Sequence, residues 1–242
     1  MSLNKKEIKL GNNRYLAIDL TEPLKEETEV YPGDPKPEKE VFSDIQRTGY
    51  QHHIYKLGDH NFHPHGDAPN HQNPELQNRG FEIFGLEHCF NPACLIDLSE
   101  TPEAKEFDGI KYLIEVKKEY LEPLTEIISQ KSAVLIRTGY DKWVEMNRPH
   151  RPENLPYLNK EAAEFIASFD KIKVVGIDSL TIDPVGSHIA HQILKNILIV
   201  ESLVHLYEIP SESKNNFDLQ TSPIRITGAT GGPIVAYAFI GF

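Results

Sequence analysis

The chain has 242 residues, a formal net charge of −11 at pH 7 and 39% hydrophobic residues. No apolar run approaches the roughly 18 residues that cross a bilayer, and residues 1–10 are polar and lysine-rich, unlike a secretory signal. The negative charge disfavours a nucleic-acid partner, because phosphate binding needs a basic surface. Cys89 and Cys94 are too few for a disulfide framework and are predicted to be reduced thiols. We therefore expect one cytoplasmic domain over residues 1–242, with no membrane partner.

Short apolar, β-branched runs recur along the chain and are predicted to be strands. They cover residues 15–20, 93–98, 133–137, 172–177, 197–200 and 234–240. Most of these runs are unbroken, which is typical of strands that are covered on both faces. Helices are predicted after Asn159, a good N-cap residue, and over residues 117–130, where Pro123 is acceptable only in the first turn. This order of elements predicts an α/β domain with a mixed sheet.

Three connections are too long to be simple turns, and they cover residues 21–41, 58–92 and 141–159. Long ordered loops in a compact domain are more often functional than idle.

The second of these loops contains His63, His65, Asp67 and His71. Side chains two positions apart face the same way in an extended segment, so His65 and Asp67 can face one metal ion. His63 shares that face if the extended backbone continues, whereas His71 follows a proline and can lie beside the metal. The alternative is a histidine-rich surface loop, because more histidines precede this segment in the chain: His52, His53 and His60.

A second histidine cluster, His188 and His191, follows the turn at residues 183–184, and Glu201 lies inside the apolar stretch 197–206. A carboxylate in an apolar run is costly unless it is paired or bound to metal. The alternative for Glu201 is a salt bridge at the end of a strand.

These segments resemble the cyclase family of metal-dependent hydrolases, which includes bacterial kynurenine formamidases and isatin hydrolases. The family signature H-x-G-T-H-x-D-x-P-x-H falls on residues 61–71. Its last four fixed positions are present as His65, Asp67, Pro69 and His71. The leading histidine is replaced by Asn61, and the Gly-Thr pair by residues 63 and 64. Similar segments elsewhere are 19–21 with 31–35, 135–139 with Trp143, and 175–179 with 182–184.

The resemblance implies an α/β fold with a barrel-like mixed sheet and flanking helices, one or two zinc or manganese ions, and a homodimer or larger homo-oligomer. It implies hydrolysis of a small-molecule amide of the arylformamidase type, such as the N-formyl group of an aromatic amine. The metal ligands it implies are His65, Asp67, His191 and Glu201. His71 would be the general base, and Glu201 would also orient the attacking water.

Three points stay open at this stage. Either His63 or His60 replaces the ligand missing at Asn61, with His63 favoured, or the site keeps a single metal. His188 competes with His191 as the ligand from the second cluster. The reaction can also be that of a relative acting on a lactam, a lactone or a polyketide, or the chain can bind metal or ligand without turnover.

Overall fold

A computed structural model describes residues 4–241 of the chain. The strands in this part are β1 (Lys5–Leu10), β2 (Asn13–Asp19), β3 (Glu38–Ser43), β4 (His52–Lys56), β5 (His65–Asp67), β6 (Phe90–Asp97), β7 (Lys105–Phe107), β8 (Ile110–Tyr112), β9 (Glu115–Val116), β10 (Ala133–Arg137), β11 (Tyr157–Leu158), β12 (Val174–Ile177), β13 (Leu198–Glu201), β14 (Phe217–Pro223) and β15 (Gly231–Gly241).

The α-helices are short. They are α1 (Ile45–Thr48), α2 (Pro69–Gln72), α3 (Lys118–Leu121), α4 (Thr125–Ile128), α5 (Asp141–Glu145), α6 (Lys160–Ala167) and α7 (Ile189–Ile193). Within the described residues, no helix is long and apolar enough to cross a membrane.

Seven strands close into a barrel in the order β15, β14, β6, β10, β12, β13 and β5, and β5 pairs back onto β15. The pairs joining β6, β10, β12 and β13 are parallel, and the remaining barrel pairs are antiparallel. Strands β1 and β2 extend the sheet beyond β15, and β3 and β4 form a separate hairpin. The predicted α/β fold with a barrel-like mixed sheet and flanking helices is confirmed.

The apolar strands of the barrel are buried on both faces, as their unbroken sequences predict. Along β10, Ala133 and Leu135 belong to the cluster shared with the antiparallel strands β14 and β15. Val134 and Ile136 belong to a second cluster, which includes helix residues such as Ile166. Alternate side chains of one strand therefore fill two separate cores.

Helix α6 begins as predicted, because Asn159 Oδ1 accepts a hydrogen bond from the backbone N–H of Ala162 at 2.9 Å. The single helix predicted over residues 117–130 is wrong. The segment divides into α3, a 3₁₀ turn at Glu122–Leu124, and α4. The helix begins at Lys118, so Pro123 lies beyond the first turn and interrupts it, since proline has no N–H to donate.

Candidate metal centre and active site

Strands β5 and β13 bring the two predicted clusters together. They pair antiparallel, with His65 opposite Glu201. His65 Nε2 lies 3.4 Å from Glu201 Oε2 and 3.8 Å from Asp67 Oδ1. His65 Nδ1 is 3.0 Å from the carbonyl oxygen of Phe62, so we assign the proton to Nδ1. The lone pair of Nε2 then faces the carboxylates, which is the tautomer that a metal requires.

Glu201 is held at the end of β13 by the chain that follows β12. The backbone N–H of Ile182 donates to Glu201 Oε1 at 2.6 Å. Burial and the nearby charge of Asp67 raise the pKa of Glu201. Two buried carboxylates therefore face each other closely enough to destabilise each other, and a cation between them would remove that cost.

His191 lies in the short helix α7, and its ring faces the same carboxylates. Its Nδ1 is 2.6 Å from Asp183 Oδ2, and its Nε2 is 2.9 Å from Asp67 Oδ2 and 3.6 Å from Glu201 Oε1. A carboxylate behind the imidazole is the usual support of a metal-binding histidine. Burial alone would lower the pKa of His191, but Asp183 and Asp67 outweigh it and raise the pKa to about 10.

The rival from the second cluster, His188, caps the start of α7 and is exposed. It lines the pocket above the site, but of the two histidines only His191 lies within hydrogen-bonding distance of Asp67 in the part of the chain that the structure describes. The structure thus brings His191, and not His188, to Asp67.

Asn61 has a structural role in its loop. Its Oδ1 accepts a hydrogen bond from the N–H of Gly58 at 2.5 Å, and its Nδ2 donates to the carbonyl of Pro35 at 2.9 Å. Asn61 is buried, with 1% exposure. Both ends of the amide are already engaged by the backbone, so the residue at the family's leading histidine position does not face the metal site.

His60, one residue earlier, faces the site instead. Its Nε2 lies 3.2 Å from Asp67 Oδ1, and its ring centroid is 5.2 Å from that of His65. Gly231 leaves the space for this ring, because a Cβ there would lie 2.6 Å from His60 Nε2. Burial alone would lower the pKa of His60, but the contact with Asp67 raises it.

The preference for His63 over His60 does not agree with this geometry. Regular strand structure begins at His65, so the alternation of side chains does not extend back to His63. The carbonyl of His63 instead accepts a hydrogen bond from the N–H of Glu22, and its ring centroid lies 6.3 Å from that of His150. Burial and the neighbouring His150 lower the pKa of His63 to about 3, so this imidazole is neutral.

His71 lies on α2 beside the cluster. Its ring centroid is 4.2 Å from that of His60 and 5.7 Å from that of His191. The side-chain amide of Gln72 lies 3.0 Å from His71 Nε2. We orient this amide so that its oxygen accepts a hydrogen bond from the Nε2–H of His71, which leaves the lone pair of Nδ1 free. Burial lowers the pKa of His71 to about 4, even though Asp67 opposes the shift. His71 is therefore a neutral imidazole at neutral pH.

The donors form two groups that share Asp67, one with His65 and Glu201 and the other with His60 and His71. Although His60 Nε2 and Asp67 Oδ1 are only 3.2 Å apart, neither atom makes a hydrogen bond of acceptable geometry. Buried polar atoms without partners are rare in native proteins and point to an absent ion or water. The imidazole and carboxylate donors fit a divalent transition metal.

A pocket of about 270 Å³ opens above these donors. Its walls combine apolar and polar side chains. Besides the clustered histidines and Glu201, its lining includes Tyr31, Asp34, Gln72, Leu180, Thr181, Pro184, Val185, Gly186, Ser187 and His188. Tyr31 and Asp34 come from the first of the three long loops, which was predicted to be functional.

Sequence reasoning missed two supporting groups: Asp183, which orients His191, and the N–H of Ile182, which holds Glu201. The sequence marks Asp183 only as part of a turn before a proline. The contact of Ile182 is made by its backbone, so no side-chain pattern reports it. The contact of Ile182 reaches the end of β13, whereas Asp183 also accepts hydrogen bonds from the N–H groups of Ala190 and His191 in α7.

The fold and the site together define a class of protein, in which a closed α/β barrel holds a buried centre of histidines and carboxylates. Residues 18–184 match the sequence model of the Cyclase family, described as "Putative cyclase", and the chain belongs to that family. The expected family membership is confirmed.

Known proteins of similar sequence and structure carry hydrolase names. A kynurenine formamidase from Bacillus cytotoxicus is 26% identical over 227 residues, which cover 90% of this chain and 95% of that protein. An isatin hydrolase crystallised with the product analogue thioisatinate superposes with a TM-score of 0.76 at 20% identity, covering 93% and 92% of the two chains. A structure described as a predicted metal-dependent hydrolase from Bacillus stearothermophilus has a TM-score of 0.67 at 19% identity, covering 92% and 97%.

Proposed function

We propose that this protein is a metal-dependent hydrolase of small aryl amides, of the kynurenine formamidase type. The observation that carries the proposal is the buried cluster around Asp67 at the floor of an open pocket. The sequence similarity to a kynurenine formamidase extends over nearly the whole of both chains, which supports the same class of reaction. Hydrolysis of such an amide releases an aromatic amine and formate.

The protein would hold one or two divalent ions, with zinc or manganese as the proposed metals, because imidazole and carboxylate donors suit both. His60 would occupy the position of the family's leading histidine, displaced by one residue along the chain. A bound ion of this kind polarises a carbonyl and lowers the pKa of water towards neutrality. The ligands we assign are His60, His65, Asp67, His191 and Glu201.

His71 is the proposed general base. Its buried imidazole is neutral at neutral pH, so it can take a proton from the attacking water and return it to the leaving amine. Gln72 and the packed ring of His60 hold the His71 ring in place. Glu201 is fixed through its Oε1 by Ile182, so that Oε2 remains for a metal or for orienting water.

Because His71 lies within reach of Asp67 and His60, its role needs a separate test. His71→Ala should abolish turnover and leave the metal content unchanged, measured by elemental analysis. Loss of metal from that variant would reassign His71 as a ligand.

A second candidate reaction is the ring opening of a lactam. The isatin hydrolase that shares this fold binds a product analogue, and isatin is a cyclic aryl amide. The same water attack and the same proton transfer to nitrogen would open the ring, but the amine would stay attached to the product.

The test uses the full chain stripped of metal with a chelator and reconstituted with Zn²⁺ or Mn²⁺. Formanilide and N-formylkynurenine report amide hydrolysis through release of the amine, and isatin reports ring opening through its change in absorbance. We expect turnover that depends on added metal. Glu201→Gln should lose it, and the exposed Glu212→Gln should retain it as a matched control. Metal binding without turnover of any substrate would favour a binding protein on this scaffold.

Assembly and location belong to the same proposal. We propose a homodimer or larger homo-oligomer that acts on its small-molecule substrate in the cytoplasm. Light scattering coupled to gel filtration tests the first point, since a monomer at micromolar concentration would contradict it. Cell fractionation tests the second.

A further inference from the structure

The charge of the pocket lining is uneven, and this bears on the substrate class of the proposed hydrolase. Within residues 4–241, no lysine or arginine lines the pocket above the metal donors. Its apolar wall is formed by Leu180, Pro184 and Val185, together with the ring of Tyr31. That wall suits an aromatic ring, but the described lining offers no lysine or arginine to a carboxylate on that ring.

Asp34 is the acidic side chain of the pocket that the metal site does not use. It follows Gly33, which has a positive φ of 102°, in a turn closed by a hydrogen bond from the N–H of Asp34 to the carbonyl of Tyr31 at 3.0 Å. The residue is exposed. Within the described part of the chain, no hydrogen bond or ion pair engages its carboxylate, whereas the neighbouring Lys36 pairs with Glu29.

Asp34, Tyr31 and the metal donor Glu201 line the same pocket. The charges of Asp34 and Glu201 both raise the pKa of the Tyr31 hydroxyl, after the larger effect of burial. A divalent ion would balance the charges of Asp67 and Glu201. The carboxylate of Asp34 would then remain as a negative charge beside the ring of a bound substrate.

We propose that Asp34 determines substrate specificity by charge: the protein acts on aryl amides whose ring carries a neutral or cationic substituent and discriminates against ring carboxylates. Asp34 is a recognition residue here, and it takes no part in bond cleavage. The inference rests on the proposed hydrolase function.

Three formanilides that differ at one ring position test this inference. They are formanilide itself, 3-(aminomethyl)formanilide, which is a cation, and 3-formamidobenzoate, which is an anion. The measurement is kcat/KM for each on the metal-reconstituted protein. Asp34→Asn removes the pocket charge, and Asp170→Asn removes an equal charge from an exposed position outside the pocket.

We expect the wild type to prefer the cation over the anion, and Asp34→Asn to reduce that preference about fivefold, which is the size of effect that a partly exposed charge pair exerts. Asp170→Asn should leave the preference unchanged. Raising the ionic strength from about 0.05 M to about 0.5 M should also reduce the wild-type preference, because salt screens exposed charges. This measurement needs no variant.

Equal kcat/KM for the three substrates in the wild type would overturn the inference while leaving the hydrolase function intact. An unchanged preference in folded Asp34→Asn would overturn it as well. Absence of turnover of formanilide itself would contradict the proposed function, and the inference with it.

Discussion

Replacing His60 or His63 with glutamine tests which of them is a metal ligand. The structure indicates His60, whereas the sequence pattern favours His63. Both histidines precede β5, and both have a buried Nε2 without a hydrogen-bond partner. Only His60 Nε2 lies beside Asp67, at 3.2 Å. We expect His60→Gln to weaken metal binding and His63→Gln to leave it unchanged.

The size of the effect follows from what each side chain contacts. Replacing residues that merely support metal ligands costs about 10–100-fold in affinity, so loss of a ligand at position 60 should cost at least that much. In the metal-free protein, His60→Gln removes a close contact with the buried Asp67 carboxylate that is not a well-formed hydrogen bond, so the cost is at most the roughly 1–3 kcal/mol of a lost hydrogen-bond partner. The His60 side chain is 20% exposed, so we take the lower end. About 1 kcal/mol lowers the melting temperature by roughly 2–4 °C in a chain of this size.

The assay is a metal titration in competition with a chromogenic chelator, combined with elemental analysis after gel filtration. Melting temperatures of the metal-free proteins accompany it. His63→Gln also disturbs a buried site, so its melting temperature should fall by a similar amount. Metal affinity, and not stability, therefore separates the two variants.

Unaltered metal affinity in His60→Gln would refute the assignment of His60 as a ligand. If His63→Gln were the variant that loses metal, the side chain of His63 would have to reach Asp67, and the geometry of the loop before β5 would be wrong.

Three more perturbations test the surroundings of the site and the fold. Gly231→Ala should displace both the His60 ring and the backbone of β5, because the new Cβ would lie 2.6 Å from His60 Nε2 and 2.7 Å from the carbonyl oxygen of Gly66; metal affinity should fall, and unchanged binding would show that both groups have room to move. Asn61→Ala should lower the free energy of unfolding by about 1–3 kcal/mol in denaturant titrations, because two hydrogen bonds to the backbone are lost. Burial would raise the pKa of Asp97, but Lys214 and other donors outweigh it and lower the pKa from 3.8 to about 2. The stability that this ionised carboxylate provides is therefore present above pH 4 and lost as the pH falls towards 2. The melting temperature of Asp97→Asn should therefore depend less on pH between 4 and 2 than that of the wild type. Identical pH profiles of the two melting temperatures would contradict this prediction.

Local sequence patterns were sufficient for much of the scaffold. The unbroken apolar run of β10 predicted a strand buried on both faces, and Asn159 predicted the start of α6. Both predictions need only the residues of one short segment. The single helix over residues 117–130 was wrong, because the helix begins at Lys118 and Pro123 therefore lies beyond the first turn, the one place where it was acceptable.

The carboxylates of the candidate metal centre were also marked by the sequence. Asp67 and Glu201 are carboxylates in segments that are otherwise apolar or constrained, and such residues are costly unless they are paired. The spacing of His65 and Asp67 follows from the two-residue period of a strand. Both residues lie in β5, and that local rule holds there.

Which imidazole of the loop before β5 lies beside Asp67 was decided only by the tertiary structure. The strand period cannot be extended to His63, because β5 begins at His65. The preceding loop is held by contacts of Asn61 with the backbone of Gly58 and of Pro35. Those contacts, together with the space above Gly231, place His60 beside Asp67. The sequence determined which kinds of donor are available and where the barrel strands lie. The pairing of β5 with β13 and β15 closes the barrel and determined which donors meet, because it joins residues that are far apart in the sequence.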